Sequence, residues 1–126
     1  MPPGCAVFDF ELEVAVVIGI PGSNLPLAEA GGHIAAYTIF NDWSARDIQR
    51  IELAGVHGPV KAKDSATTLG PVLVTADELE PFRKGDRLDL ELQVSLNDEP
   101  LATIRSRIWA IRSNRCSCTP PAARGW

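Results

Sequence analysis

The sequence predicts a mainly β domain with short helices, α+β in class, and three observations carry that reading. Leu88 to Leu96 alternates apolar and polar residues without a break, the period-2 signature of a half-buried strand. Phe10 to Ile18 and Ile34 to Phe40 are rich in branched and aromatic side chains, which suit a pleated surface. Clusters such as Pro21-Gly22-Ser23-Asn24 and Asn97-Asp98 separate the runs and supply turns.

From the amino end, Phe10 to Ile18 alternates and then becomes apolar on both faces, as a strand does when it passes from a half-exposed into a buried setting. A short helix is expected over Leu27 to Gly31. Ile34 to Phe40 reads as a second core strand that delivers Asp42 at its end, and a helical turn over Ala45 to Leu53 follows. Between Ala54 and Thr68 the glycines, Pro59 and isolated lysines predict an ordered loop. Val72 to Thr75 is a short strand, and Asp77-Glu78-Leu79 starts a turn. The alternating run Leu88 to Leu96 then pairs with Pro100 to Ile104 across Asn97-Asp98, forming a hairpin.

A chain of 126 residues, 45% of them hydrophobic, fits one domain with a modest core. The longest apolar run, Val14 to Ile20, falls far short of the ~20 residues a helix needs to cross a bilayer, so no membrane span is expected. The opening Met1-Pro2-Pro3-Gly4 lacks the basic and apolar regions of a secretory signal, and a cytoplasmic location is expected. Cys5, Cys116 and Cys118 follow no metal-ligand or redox spacing and read as incidental thiols. Charge is uneven: all 16 acidic residues lie at or before Glu99, and the arginines at 105, 107, 112, 115 and 124 stand against no acid. A body this acidic argues against nucleic acid as the partner.

Glu11 and Glu13 stand two apart on a strand, so both side chains point to one face with α-carbons about 6.5 to 7 Å apart. Ala15 and Val17 continue that face, and two unpaired carboxylates opening a buried strand are costly unless a cation joins them. Glu-x-Glu on the polar face of an edge strand is common, so the pair alone is not evidence. Asp42 adds a third carboxylate where an apolar strand ends; alone, it reads as an N-cap for the following turn. Three carboxylates supplying oxygen suit a hard ion such as Mg²⁺, Mn²⁺ or Ca²⁺ rather than zinc or copper. Arg46 and Gln49, three apart on a helical turn, share a face and could hold a substrate carboxylate or keto oxygen. The plain alternative for Arg46 is a salt bridge to Asp47 or Glu52. Lys63 lies in a polar stretch, Lys61 to Thr68, where a lysine is usually at the surface.

Three runs combine these residues: Phe10-Glu11-Leu12-Glu13-Val14-Ala15-Val16-Val17-Ile18-Gly19, Tyr37-Thr38-Ile39-Phe40-Asn41-Asp42-Trp43-Ser44-Ala45-Arg46-Asp47-Ile48-Gln49, and Lys63-Asp64-Ser65-Ala66-Thr67-Thr68-Leu69-Gly70-Pro71. In this order they resemble the carboxy-terminal domain of the fumarylacetoacetate hydrolase family, over roughly residues 5 to 100. The resemblance implies a fumarylacetoacetase-type β-roll, here incomplete. It implies that Glu11, Glu13 and Asp42 bind a metal, Mg²⁺ first and Mn²⁺ or Ca²⁺ as alternatives. Lys63 would be catalytic, facing the ion and the developing negative charge; Thr67 would support that shell; Arg46 and Gln49 would contact substrate. The implied activity is metal-dependent hydrolysis of a carbon–carbon bond in a fumarylacetoacetate-like diketo acid, in the catabolism of aromatic compounds. The alternatives are a hydratase, decarboxylase or isomerase of 2-oxo acids and, from another class, a metal-binding remnant without turnover. Family enzymes are usually dimers, so a homodimer is expected.

The sequence departs from the family at three places. A histidine upstream of the Glu-x-Glu strand activates water in the family, and neither His33 nor His57 stands at that position. Ser65 replaces an aromatic residue. After the hairpin, an Asp-Met motif and an Ala-Ser-Arg-Gly-Thr segment are absent. Back-translating 107–126 with permitted codons, read from the last base of the Arg107 codon, gives Asp-Met-Gly-Tyr-Pro-Phe-Glu-Gln-Met-Leu-Val-His-Ala-Ser-Arg-Gly-Thr-Arg, which restores both. The hypothesis is therefore a partial domain over 1–104 followed by an aberrant, out-of-frame basic tail over 105–126. Sequencing the gene tests it, since an intact frame far from these codons overturns it.

Overall fold

In the computed structural model, which describes residues 1–109, the apolar run beginning at Ile34 forms β3 (Ile34–Asp42), and the central sheet is built around it. β2 (Leu12–Ile18) lies antiparallel along one side, with Glu13 opposite Phe40 and Ala15 opposite Thr38. β5 (Thr67–Leu69) and β6 (Val74–Thr75) also pair with β3, Thr67 facing Asp42 and Val74 facing Tyr37. β1 (Phe8–Asp9) and β4 (Ser44–Ala45) form a two-stranded ladder. β7 (Arg83–Lys84), β8 (Arg87–Leu96) and β9 (Glu99–Trp109) form a third sheet. The helices α1 (Leu27–Ala30), α2 (Arg46–Glu52) and α3 (Ala76–Leu79) are all short. The expected class holds: mainly β with short helices, and no closed barrel among the described residues.

Strand propensity placed β2, β3 and β8 within two residues, and tertiary pairing moved the ends. Phe10 and Glu11 belong to no strand, because Phe8–Asp9 pairs with β4 and the chain crosses there from one sheet to another. Only Val74 and Thr75 of the Val72 run are strand. The Val72 carbonyl instead accepts the Thr38 hydroxyl at 2.8 Å. β2 corrects the expectation of a buried far end: Val16 and Ile18 are 40% and 58% exposed, because the buried cluster packs against β2 at Val14 and not at these residues. Asp42 is not an N-cap either. Ala45 holds that position on α2, without a side-chain cap bond.

The β8–β9 hairpin turns at Asn97 and Asp98, whose φ of 52° and 66° are the left-handed pair a type I′ turn requires. β9 continues to Trp109, past the Ile104 end expected for the hairpin strand. The rest of the basic tail, 110–126, with Cys116 and Cys118, lies outside the described residues.

Two apolar clusters hold the sheets together. Ile34, Tyr37 and Leu88 are buried, with Val14, Ala76, Leu79, Leu90 and Ile108 packed against them, which ties the central sheet to the hairpin sheet. The second cluster is made of small residues, Cys5, Ala45 and Ala62, with Phe8 and Ile48 around them, and lies beside the residues considered next. Among the described residues no helix is long and apolar enough to cross a membrane.

Candidate metal centre

Glu11 sits at the crossing between β1 and β2, and both of its backbone groups are tied to the end of β3. Its N–H donates to Asn41 Oδ1 at 3.0 Å, and its carbonyl accepts the Asp42 N–H at 3.1 Å. The clamp sets Glu11 beside Asp42, and β2 carries Glu13 onward from it. Carboxylate oxygens of Glu11, Glu13 and Asp42 lie within 4.8 Å of one another. Acids that close repel unless cations share them.

Lys63 is one such cation. Its Nζ lies 2.5 Å from Glu11 Oε2 and 3.0 Å from Asp42 Oδ2. It also donates to Ser44 Oγ at 2.7 Å, and the fully buried Ser44 hydroxyl donates in turn to the Asp42 carbonyl at 3.0 Å. Lys63 is therefore a placed lysine and not a surface one. The loop before it is fixed by Glu52, at the end of α2, whose carboxylate accepts the N–H groups of Val60, Lys61 and Ala62 at 2.8, 2.8 and 3.1 Å. The Ala62 carbonyl is held from the other side by the Ala45 N–H at 2.9 Å.

Arg46 is the second cation. Its Nε donates to Asp9 Oδ2 at 2.8 Å, while Nη1 contacts Glu11 Oε1 and donates to Gln49 Oε1 at 3.1 Å. The salt bridge considered from sequence, to Asp47 or Glu52, is not the one Arg46 makes. Asp47 is engaged by the Ala6 N–H at 2.7 Å and the Cys5 thiol at 3.3 Å, and Glu52 by the loop amides. Cys5 is thus a buried thiol with a partner.

The titration shifts follow from these contacts. The Lys63 ammonium holds the Glu11 carboxyl below its usual range, with Arg46 adding to it against the opposing effect of burial. Burial works against the charge on Lys63, but Glu11 and Asp42 outweigh it and raise its pKa. Asp9, ahead of Glu11, does the same for Arg46.

The donor set fits a hard divalent ion. Four carboxylates, counting Asp9, stand against two cations and leave two negative charges uncompensated, the charge one divalent ion carries. The structure therefore brings together Glu11, Glu13, Asp42, Lys63, Arg46 and Gln49, and the β3–β5 register sets Thr67, with an exposed side chain, opposite Asp42. Sequence reasoning passed over Asp9, Asn41 and Ser44 as site residues and considered Glu52 only as a partner of Arg46, because backbone-amide partners leave no side-chain signal. His33 is committed to the Ile20 carbonyl at 2.8 Å. Beside the centre, Trp43 stacks on Phe8 with ring centroids 5.3 Å apart and donates to Thr68 Oγ1 at 2.9 Å. The two rings line an open cleft with Asp64, Ser65 and Ala66.

A family model described as fumarylacetoacetate (FAA) hydrolase C-terminal matches residues 1–109. Fumarylacetoacetase of Bos taurus is 44% identical over 82 residues, covering 62% of this chain and 19% of that protein. The Arabidopsis thaliana fumarylacetoacetase is 47% identical over 78 residues, covering 59% and 18%. The chain thus spans about a fifth of the length of these curated relatives. A solved structure from Mycobacterium abscessus superposes with a TM-score of 0.66 at 36% identity, covering 83% of this chain and 38% of that one. Fumarylpyruvate hydrolase from Pseudomonas aeruginosa, solved in complex with Mn²⁺ and pyruvate, shares the fold at a TM-score of 0.62 and 21% identity, covering 82% and 43%.

Proposed function

The chain belongs to the fumarylacetoacetate hydrolase family, and on that premise we propose that Glu11, Glu13 and Asp42 bind a divalent cation and that the whole protein hydrolyses a carbon–carbon bond in a diketo acid. The observation that supports this most is the meeting of three carboxylates within 4.8 Å, flanked by Lys63 and Arg46. Mg²⁺ is assigned first, with Mn²⁺ and Ca²⁺ sharing its preference for oxygen. The relatives named fumarylacetoacetase and the fold relative that holds Mn²⁺ and pyruvate support the same substrate class.

When bound, the cation supplies a Lewis acid that polarises a substrate carbonyl. The remaining work falls to the chain. Lys63, anchored by Ser44, puts a fixed positive charge beside the oxygens on which negative charge develops, where a preorganised donor is most effective. Arg46, oriented by Gln49, offers its remaining N–H groups to a substrate carboxylate. The Phe8–Trp43 pair forms an apolar wall for the acyl portion. Thr67, opposite Asp42, supports the shell. In the reaction, hydroxide from water joins the acyl carbon, the bond to the neighbouring carbon breaks, and the electron pair leaves on an enolate that takes up the proton. His33 directly precedes Ile34 at the start of β3, the opposite end of that strand from Asp42, and is therefore not the base.

Calorimetry with Mg²⁺ and Mn²⁺ tests the centre, comparing the native chain with a Glu11→Ala, Glu13→Ala, Asp42→Ala variant. One ion bound by the native chain and none by the variant is expected; binding by neither rejects the centre. Turnover of fumarylacetoacetate or an acylpyruvate, lost in Asp42→Ala, tests the reaction.

A further inference from the structure

Asp9 lies outside the three-carboxylate cluster, yet it is held with care. It is in register with Ser44 across the β1–β4 ladder, and its Oδ1 accepts the Phe10 N–H at 2.9 Å. Its Oδ2 takes the Nε edge of Arg46, whose Nη1 reaches Glu11. Arg46 thus has two carboxylate partners, and one of them belongs to the cation centre. A carboxylate fully committed to a guanidinium is a poor ligand for a metal ion, because the same oxygen lone pairs serve both. The geometry points to Asp9 as a positioning residue: by holding and partly neutralising Arg46, it keeps Glu11 available to a divalent cation.

The inference rests on the cation reading above, and it makes a claim that reading does not. If Asp9 acts through Arg46, its removal lets the guanidinium settle wholly on Glu11 and weakens ion binding, and the effect disappears once Arg46 is gone. If Asp9 is merely one more negative charge, its removal weakens binding to the same extent with or without Arg46. A double-mutant cycle separates the two.

The experiment is Mn²⁺ calorimetry at a fixed 0.15 M salt, on the full chain and on Asp9→Asn, Arg46→Gln and the double variant. The expected result is that Asp9→Asn weakens Mn²⁺ about fivefold, Arg46→Gln tightens it by a similar factor, and Asp9→Asn in the Arg46→Gln background changes it by less than about twofold. Equal weakening by Asp9→Asn in both backgrounds, or no weakening in either, overturns the proposal. If Asp9→Asn fails to fold, Asp9→Ser takes its place in the same cycle and is read by the same criteria. A folded native chain that binds no Mn²⁺ overturns the three-carboxylate reading and this inference with it, whereas native binding with a flat cycle overturns the inference alone.

Discussion

The Nζ of Lys63 lies 2.5 Å from Oε2 of Glu11, across a boundary between an irregular loop and the start of a strand. Neither side chain is more than a quarter exposed, so the pair is only partly screened. Lys63→Met removes the charge and leaves Glu11 and Asp42 facing each other. A loss of about 1–2 kcal/mol of stability is expected in urea unfolding. Divalent affinity should move the opposite way, tightening by about tenfold as the competing cation disappears. Calorimetry that finds unchanged affinity means Lys63 does not share the charge of the centre.

Glu52 gives a pH signature. Burial alone would raise its pKa, but the amide N–H groups of Ala62, Val60 and Lys61 outweigh it, and the folded-state value is lowered. A lowered value means the carboxylate stabilises the fold above its ordinary pKa, and that contribution is lost as pH falls through the folded-state value. The melting temperature of the native chain should therefore fall from about pH 4.3 downward, and Glu52→Gln should show a shallower acid limb and a lower melting temperature at neutral pH. Parallel acid limbs would show that the loop amides do not hold the charge.

Leu88 is fully buried between the central sheet and the hairpin sheet, in contact with the Ile34 and Tyr37 cluster. Leu88→Ala should cost about 2–4 kcal/mol. In a core with few buried side chains the loss falls on the whole domain, so chemical denaturation followed by fluorescence and by circular dichroism should shift together.

At the hairpin tip Asp98 holds a φ of 66°, a conformation that glycine adopts without strain. Asp98→Gly completes the Asn-Gly pair preferred in type I′ turns and should raise stability by about 0.5–1 kcal/mol. Asn97→Ala, placing a Cβ residue with no side-chain polar group at a φ of 52°, should lower it. The contrast between the two variants is read from their unfolding midpoints.

The parts of the fold legible in the sequence are those set by local pattern. Alternation in Leu88 to Leu96 and the branched run at Ile34 gave β8 and β3, and Asn97-Asp98 gave the turn. The two-residue strands β1, β4 and β7 escaped because two residues have no period. Val16 and Ile18 misled for a physical reason: a strand apolar on both faces normally has layers along its whole length, and here the buried cluster meets β2 at Val14 and leaves its far end uncovered. At the candidate site, Glu13 and Asp42 were legible because a strand's face and a strand's end carry them, whereas Glu11 precedes β2 and is placed by its backbone bonds to Asn41 and Asp42. The Asp9 to Arg46 pair joins segments 37 residues apart, and the Glu52 cradle, though local, rests on backbone amides that no side-chain spacing encodes.

β3 carries a further meaning, as a ruler. The same nine residues set β2 from one side and β5 and β6 from the other, so Glu13, Asp42 and Thr67 are positioned against one common scale. Because a strand's faces alternate, a slip of β2 by one residue would turn Glu13 away and present Val14 or Leu12 in its place. Cation affinity is then a reading of strand alignment: a misaligned chain could keep its secondary structure and lose the centre completely, and an ion added during refolding would select the aligned population from the rest.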